Sequence, residues 1–297
     1  MPARSTALLA LALLAPPALQ AACPPAGMDA EDLATLRREG FKVDDAGRRE
    51  ALAIEWLDCL ASPDPVWRDG GAYEALAAGL RGETFSARTR QDLMERLLAS
   101  LQSPAPDPDG VRAPFEALVL SEIARTDRIA PWLDATQRQR LVDAAADYLA
   151  GVRDWRGFDA RVGWRHGVAH GADLAMQLAL NPSLDRAQLD RLLAAVAAQV
   201  APEAAPPYTH GEPERLVRPV AFALQRGLHD DAAWSAWLTT LVAAAPPAEA
   251  PIDAAVLARR HNLRGFLFAL YGTLATSGTP ILEARAPAVA DALRRMP

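Results

Sequence analysis

"GWRHGVAHGADLAMQLALN" (Gly163–Asn181) governs how the rest of the chain is read. Placed on a helix at about 100° per residue, His166, His170, Asp173 and Gln177 fall within one arc of roughly 60°. Gly163, Gly167 and Gly171 form the adjacent stripe, and Trp164, Val168, Leu174, Ala175 and Leu178 lie beyond it on the apolar side. The pattern is helical, with a polar stripe bordering a buried face. Glycine in a helix interior costs up to about 1 kcal/mol against alanine. Three in a row therefore imply close approach of a neighbouring helix or room for a ligand against the backbone.

The same spacing of three and four extends over almost the whole chain. It predicts helices near 29–39, 45–61, 67–80, 87–102, 112–126, 135–151, 163–180, 185–201, 213–227, 230–244, 253–276 and 280–295. Proline- and glycine-rich stretches such as "SPAPDPDG" (103–110) separate them. Asp134 with Gln137, and Asp185 with Gln188, have capping-box spacing. Pro280 suits a first helical turn. "LDATQRQRL" (133–141) and "LDRAQLDRL" (184–192) share L-D-x-x-Q-x-x-R-L at an offset of 51 residues, close to the period of helical solenoids. The echo has two readings: a repeat, or two ordinary capped helix starts. Strand signals are absent, and so are G-x-S-x-G, Walker and G-x-G-x-x-G motifs. The expected fold is all-α: an array of antiparallel helix pairs, an α-α superhelix resembling HEAT and armadillo solenoids.

The 297 residues carry a formal charge of -6 with no long run of one sign, which argues against a nucleic-acid partner. Lys42 is the only lysine. With every other fixed cation an arginine, a single arginine says little about an anion site. Residues 1–22 read as a cleaved signal peptide: Arg4, the short apolar run "TALLALALLA", then "PPALQAAC" with small residues before the cut. The run is too short for a membrane span, which needs about 20 residues, and no later segment is long and apolar enough. The expectation is a single all-helical domain over 23–297, exported to the periplasm or secreted. The exported chain keeps Cys23 and Cys59, an even pair that predicts a disulfide closing about 36 residues. In the chain-entropy model this contributes about 3–4 kcal/mol. A lipidated Cys23 is the rival; Gln20 stands three positions before it where an apolar residue is wanted.

Two histidines four apart on a helix can bind one zinc or another divalent metal, with Asp173 a third ligand or an outer partner. Gly167 follows His166, so this is not H-E-x-x-H; a base would come from Asp159, Glu212 or Glu214. The alternative is that both histidines hydrogen-bond to neighbouring helices. "DWRGFD" (154–159) reads as a charged loop with aromatic plugs. "THGEPERLVRP" (209–219) brings His210, Glu212, Glu214 and Arg215, and "RRHNLRGFLFALYGTL" (259–274) brings His261, Asn262 and Arg264 ahead of a core run.

"RGFDARVGWRHGVAHGADL" resembles the R-G-[YF]…G-W-x-H-x-x-A-H-x-x-D-x-L signature of the DUF2785 proteins, a bacterial family of undetermined function. "EPERL" and "NLRGFLFALY" are similar to its later segments, and the resemblance spans roughly 45–275. It implies an all-helical fold and matches Arg156, Gly157, Trp164, His166, His170, Asp173, Glu212, Arg215, Asn262 and Tyr271. It further implies that the histidine, E-x-x-R and Asn262 helices share one neighbourhood. "PFEALVLSEIA" departs from the polar, serine-bearing helix expected there.

Two functions follow as expectations. The first is an exported helical-repeat module that binds a protein or small-molecule ligand through Arg156, Trp164, His166, His170, Asp173, Glu212, Arg215 and Asn262. The second is a metal-dependent hydrolase with His166, His170 and Asp173 as ligands.

Overall fold

The computed structural model describes residues 23–103 and 106–296; the predicted signal peptide lies outside them. Its elements are α1 (Ala30–Arg38), α2 (Ala46–Cys59), α3 (Pro65–Trp67), α4 (Glu74–Arg81), α5 (Ala87–Gln102), α6 (Arg112–Ile129) and α7 (Ala135–Gly151). A two-stranded hairpin follows, β1 (Phe158–Asp159) and β2 (Gly163–Trp164). Then come α8 (Gly167–Ala179), α9 (Arg186–Val200), α10 (Glu212–Gln225), α11 (Asp231–Ala243), α12 (Ala254–Ala275), α13 (Pro280–Glu283) and α14 (Ala286–Arg294). The all-α class is as expected.

Caps set the helix starts. Asp29, Asp45, Ser86, Asp134, Asp185, Asp230 and Asp253 each stand in extended backbone and accept a first-turn N–H. Both predicted capping boxes form, at Asp134–Gln137 and Asp185–Gln188. Three elements depart from the sequence reading. The helix expected at 67–80 is interrupted by a π-helical turn, Arg68–Tyr73, between α3 and α4. The C-terminal helix splits at Ala284–Arg285. The histidine helix begins at Gly167 rather than Gly163, because Gly163 and Trp164 pair with β1.

α4, α6, α8, α10 and α12 pack in succession as one layer, and α5, α7 and α9 as a second, with α5, α7 and α9 laid on α6, α8 and α10. The echo helices α7 and α9 are neighbours, and Gln188 Nε2 donates across them to Gln139 Oε1 (2.8 Å). α6 is buried nearly all round, so its polar residues need internal partners. Gly171 on α8 lets α7 approach: a Cβ there would lie 3.0 Å from Leu149 Cδ1 and Tyr148 Cε1. Of the two reasons for the glycine stripe, close helix approach explains Gly171. Cys23 and Cys59 lie at disulfide distance, Cα atoms 5.0 Å apart. No helix among the described residues is long and apolar enough to cross a membrane.

Asp127, 1% exposed, sits where α6 ends. It accepts from Trp132 N (3.0 Å), Leu133 N (2.9 Å), Arg138 Nε (2.9 Å) and Asn181 Nδ2 (2.7 Å). Burial alone would raise its carboxyl; Arg138 and the two N–H groups outweigh that and hold it below the ordinary carboxylate value. Asp127→Ala leaves Arg138 buried and unpaired. The expected loss is about 3–5 kcal/mol in denaturant unfolding; a loss under about 1 kcal/mol would mean that the tie does not organise the fold.

Candidate functional site

The site is built on the hairpin and the chain entering α8. Asp159 closes the hairpin turn, its Oδ1 accepting from Arg161 N and Val162 N (both 2.9 Å). Two arginines that sequence reasoning passed over hold the hairpin from beneath. Arg165, 2% exposed, pairs with Asp159 and donates to Asp109 O (2.5 Å), and its backbone N donates to Gly157 O (2.8 Å). Arg68, fully buried in the π-helical turn, donates to Ser62 O (3.0 Å), Val162 O (2.7 Å) and Trp164 O (3.3 Å), and lies over the Phe115 ring. The only local signal for Arg165 was its place between an aromatic residue and a histidine. Arg68 carried none.

Fixed in this way, the hairpin presents aromatic side chains. Phe158 (52% exposed) meets Trp164 (40% exposed) edge-on at 5.0 Å between ring centroids. His166 lies flat on Trp164, with centroids 4.1 Å apart and planes 5° from parallel. His210 approaches Trp164 edge-on at 5.9 Å. His166 is the residue before α8 and is left-handed (φ 55°, ψ 36°), with no side-chain cap on the helix. A left-handed non-glycine residue costs roughly 1–3 kcal/mol and persists only where its surroundings impose it. Its Nδ1 is buried and has no hydrogen-bond partner. Burial, then Arg215 and His210 nearby, push its pKa down to about 4.

His170 is buried one turn into α8, edge-on to Phe115. Its Nδ1 lies 3.2 Å from Pro114 O. A carbonyl only accepts, so neutral His170 carries its proton on Nδ1. Burial, with His166 and Arg215 nearby, lowers its pKa to about 3. Asp173 is clamped by Arg215 in a bidentate pair through Nε and Nη2, with Arg218 at 3.9 Å. Burial nevertheless keeps its carboxyl above the usual value.

The predicted residues therefore separate by job. His166, His170, Asp173, Arg215 and Trp164 do share one neighbourhood, because α10 packs on α8. Among the described residues, however, no three His, Cys, Asp or Glu side chains are grouped to hold a metal ion. The Asp173 carboxylate is occupied by Arg215, so the predicted trio does not fit a metal. Glu212 is buried and accepts from His210 N (2.8 Å). Asn262 is fully buried and braces the preceding loop, Oδ1 accepting from Tyr208 N (2.7 Å) and Nδ2 donating to Pro206 O (3.0 Å). With both ends of its amide used and no exposure, Asn262 positions the His210 loop rather than facing the recess. Arg156 is paired with Asp154. Arg156, Phe158, Arg165, His210 and Glu212 help line a recess of about 270 Å³ beside the hairpin, and His166, His170 and Asp173 do not.

A larger recess of about 610 Å³, with Tyr148 and Gly167 in its wall, lies toward α7. Its carboxylates are mostly engaged: Asp143 and Asp147 by Arg191, and Asp154 by Arg156. Asp107 takes backbone N–H groups at the start of α6. The model of a family described as "Protein of unknown function (DUF2785)" matches residues 97–271. No curated protein and no solved structure matches the chain.

A Cβ at Gly157 would stand 2.3 Å from the His210 ring. Gly157→Ala therefore displaces His210 from Trp164 and lowers stability by about 1–3 kcal/mol, read as a lower Tm with a changed tryptophan emission; unchanged emission would place His210 elsewhere. For His170 the folded pKa lies below the unfolded value of about 6.5. Above pH 6.5 both states are neutral and the residue contributes no pH dependence. Below it the unfolded chain takes a proton that the folded one refuses, so stability falls by about 1.4 kcal/mol per pH unit down to about pH 3. Stability measured from pH 7 to 4 should fall less steeply in His170→Gln than in the natural chain. Equal slopes would contradict the buried neutral ring.

Proposed function

Because the chain belongs to the DUF2785 family, whose description assigns no activity, its role is read from the site, and we propose that it is a ligand-binding module. In this reading the helical layers form a HEAT-like scaffold. The recognition surface is the hairpin Gly157–Arg165 with His166 and the adjoining His210 recess. The observation that carries the proposal is His166: a left-handed residue, flat on a half-exposed tryptophan, with an unpartnered buried ring nitrogen. Strain held in place by two buried arginines beside exposed aromatic rings is the pattern of a preorganised contact surface. An aromatic platform next to Arg156 and His210 suits a planar or sugar-like face carrying an acceptor. Export to the periplasm or outside the cell is part of the same proposal, supported by the N-terminal pattern and by the Cys23–Cys59 pair at disulfide distance.

The rival reading, a metal-dependent hydrolase, has less support, since among the described residues no third His, Cys, Asp or Glu is grouped with His166 and His170 to hold a metal ion. Elemental analysis of untagged protein separates the two. Near-stoichiometric zinc, lost in a His166→Ala, His170→Ala double variant, would restore the rival.

The direct test uses Trp164 as the reporter. Soluble mono- and disaccharides, aromatic carboxylates and nucleosides are titrated against tryptophan fluorescence and Tm. A hit is expected to weaken by about tenfold or more in Trp164→Ala, as stacked contacts of about 1–3 kcal/mol require. Turnover of any of these compounds that disappears in a folded His170→Ala would replace the binding reading with an enzymatic one.

A further inference from the structure

A second arginine cluster lies at the far end of α6, apart from the hairpin. A recess of about 460 Å³ is lined by Leu80, Arg81, Glu83, Arg90, Arg125, Thr126, and the Ile129–Trp132 segment. That volume is in the range of small-molecule sites. The three arginines differ in their commitments. Arg81 is held by Glu122, with Nε to Oε2 at 2.8 Å. Arg90 lies over the Trp132 ring at 5.1 Å, and its Nε is buried with no hydrogen-bond partner. Arg125 forms no ion pair among the described residues, nor does Arg90. Arg125 also crowds Arg128, whose guanidinium is pushed down by burial and then by Arg125. Glu83 is the one carboxylate in the lining, and it too forms no ion pair among the described residues.

Arg68, Arg112 and Arg260 also have a buried Nε without a hydrogen-bond partner, but there the rest of the guanidinium is engaged, by carbonyls at Arg68 and Arg260 and by Glu116 at Arg112. A purely structural role for Arg90, as a cover for Trp132, leaves its Nε without an acceptor. It also leaves Arg125, which lines the same recess, without a counter-charge. An oxyanion seated between Arg90 and Arg125 supplies the acceptor that Arg90 Nε lacks and a counter-charge for Arg125, since guanidinium groups match carboxylate and phosphate geometry. Leu80, Ile129, Pro131 and Trp132 then contact whatever apolar body carries the charge. We propose that this recess binds a small oxyanion, a carboxylate or phosphate head on an apolar body, between Arg90 and Arg125.

The test is calorimetric titration of the full exported chain at low ionic strength with hexanoate, inorganic phosphate and hexanol. Hexanoate is expected to bind, hexanol to fail, and Arg90→Gln/Arg125→Gln to weaken hexanoate about tenfold or more, the loss expected for one charge-assisted contact. Glu83→Gln removes the opposing charge and should tighten hexanoate severalfold. Arg125→Gln alone, at a residue with no ion pair, keeps the test open if the double variant unfolds; it should weaken hexanoate without moving Tm. Phosphate binding lost in the same variants supports the oxyanion head alone as sufficient. Binding of hexanol equal to hexanoate, no binding of either oxyanion, or binding unchanged in Arg125→Gln would overturn the proposal.

Discussion

The Asp127 carboxylate is the tie on which the central helices depend. One side chain closes the α6–α7 turn through Trp132 N and Leu133 N, holds the first turn of α7 through Arg138, and reaches the end of α8 through Asn181. Breaking it frees three elements at once, because a buried charge without its partners costs far more than the pair contributes. The far end of α8 is where His166 sits, so the hairpin inherits its placement from a contact at the opposite end of that helix. Asp173 and Arg215 then fix α10 to the same helix near its middle. The site is thus assembled by two charge-assisted ties along α8 rather than by a single local motif.

Arginine does an unusual share of this work. Arg68, Arg165 and Arg226 each spend their donors on loop carbonyls: Arg226 donates to Asn181 O (2.5 Å), Pro182 O (3.0 Å) and Leu184 O (3.0 Å). A fork of five donors can satisfy several carbonyls from one position, which a lysine ammonium on its flexible stem does poorly. In a chain with one lysine, a single arginine is therefore more often a clamp for a loop than an anion receptor. The expectation that single arginines carry little functional information agrees with this. The same reasoning gives weight to Arg90 and Arg125, which bond to no carbonyl or carboxylate among the described residues.

The helices were legible because their determinants are local. Aspartate caps, apolar periodicity and proline stops lie within a few residues of the boundaries they set. The hairpin was not, because its strands are two residues long and depend on donors from Arg68, 94 residues away from Val162. The left-handed backbone of His166 was not legible either, since histidine is enriched in that region but only a few per cent of non-glycine residues adopt it. The neighbourhood of the histidine, E-x-x-R and Asn262 helices was legible through family resemblance and holds for α8, α10 and α12. What resemblance could not supply was the job of each residue. Asn262 matches the family pattern yet spends its amide on a loop, and Asp173 matches it yet spends its carboxylate on Arg215.

Among the described residues, three non-glycine residues are left-handed: Phe41, Glu83 and His166. Phe41 and Glu83 stand just beyond the ends of α1 and α4, where a left-handed residue closes the last turn and is ordinary. His166 stands at the start of a helix, where eight other helices among the described residues use a capping aspartate or serine in extended backbone. Replacing such a cap costs about 1 kcal/mol, and the left-handed backbone adds to it. The sequence could have placed an aspartate at position 166 and gained on both counts. The histidine in its place gains no hydrogen bond from Nδ1 and stays neutral, while its ring completes the face of Trp164. A position that forgoes a cap, backbone comfort and a hydrogen bond in favour of a half-exposed aromatic stack is explained by what that stack contacts, not by the stability of α8.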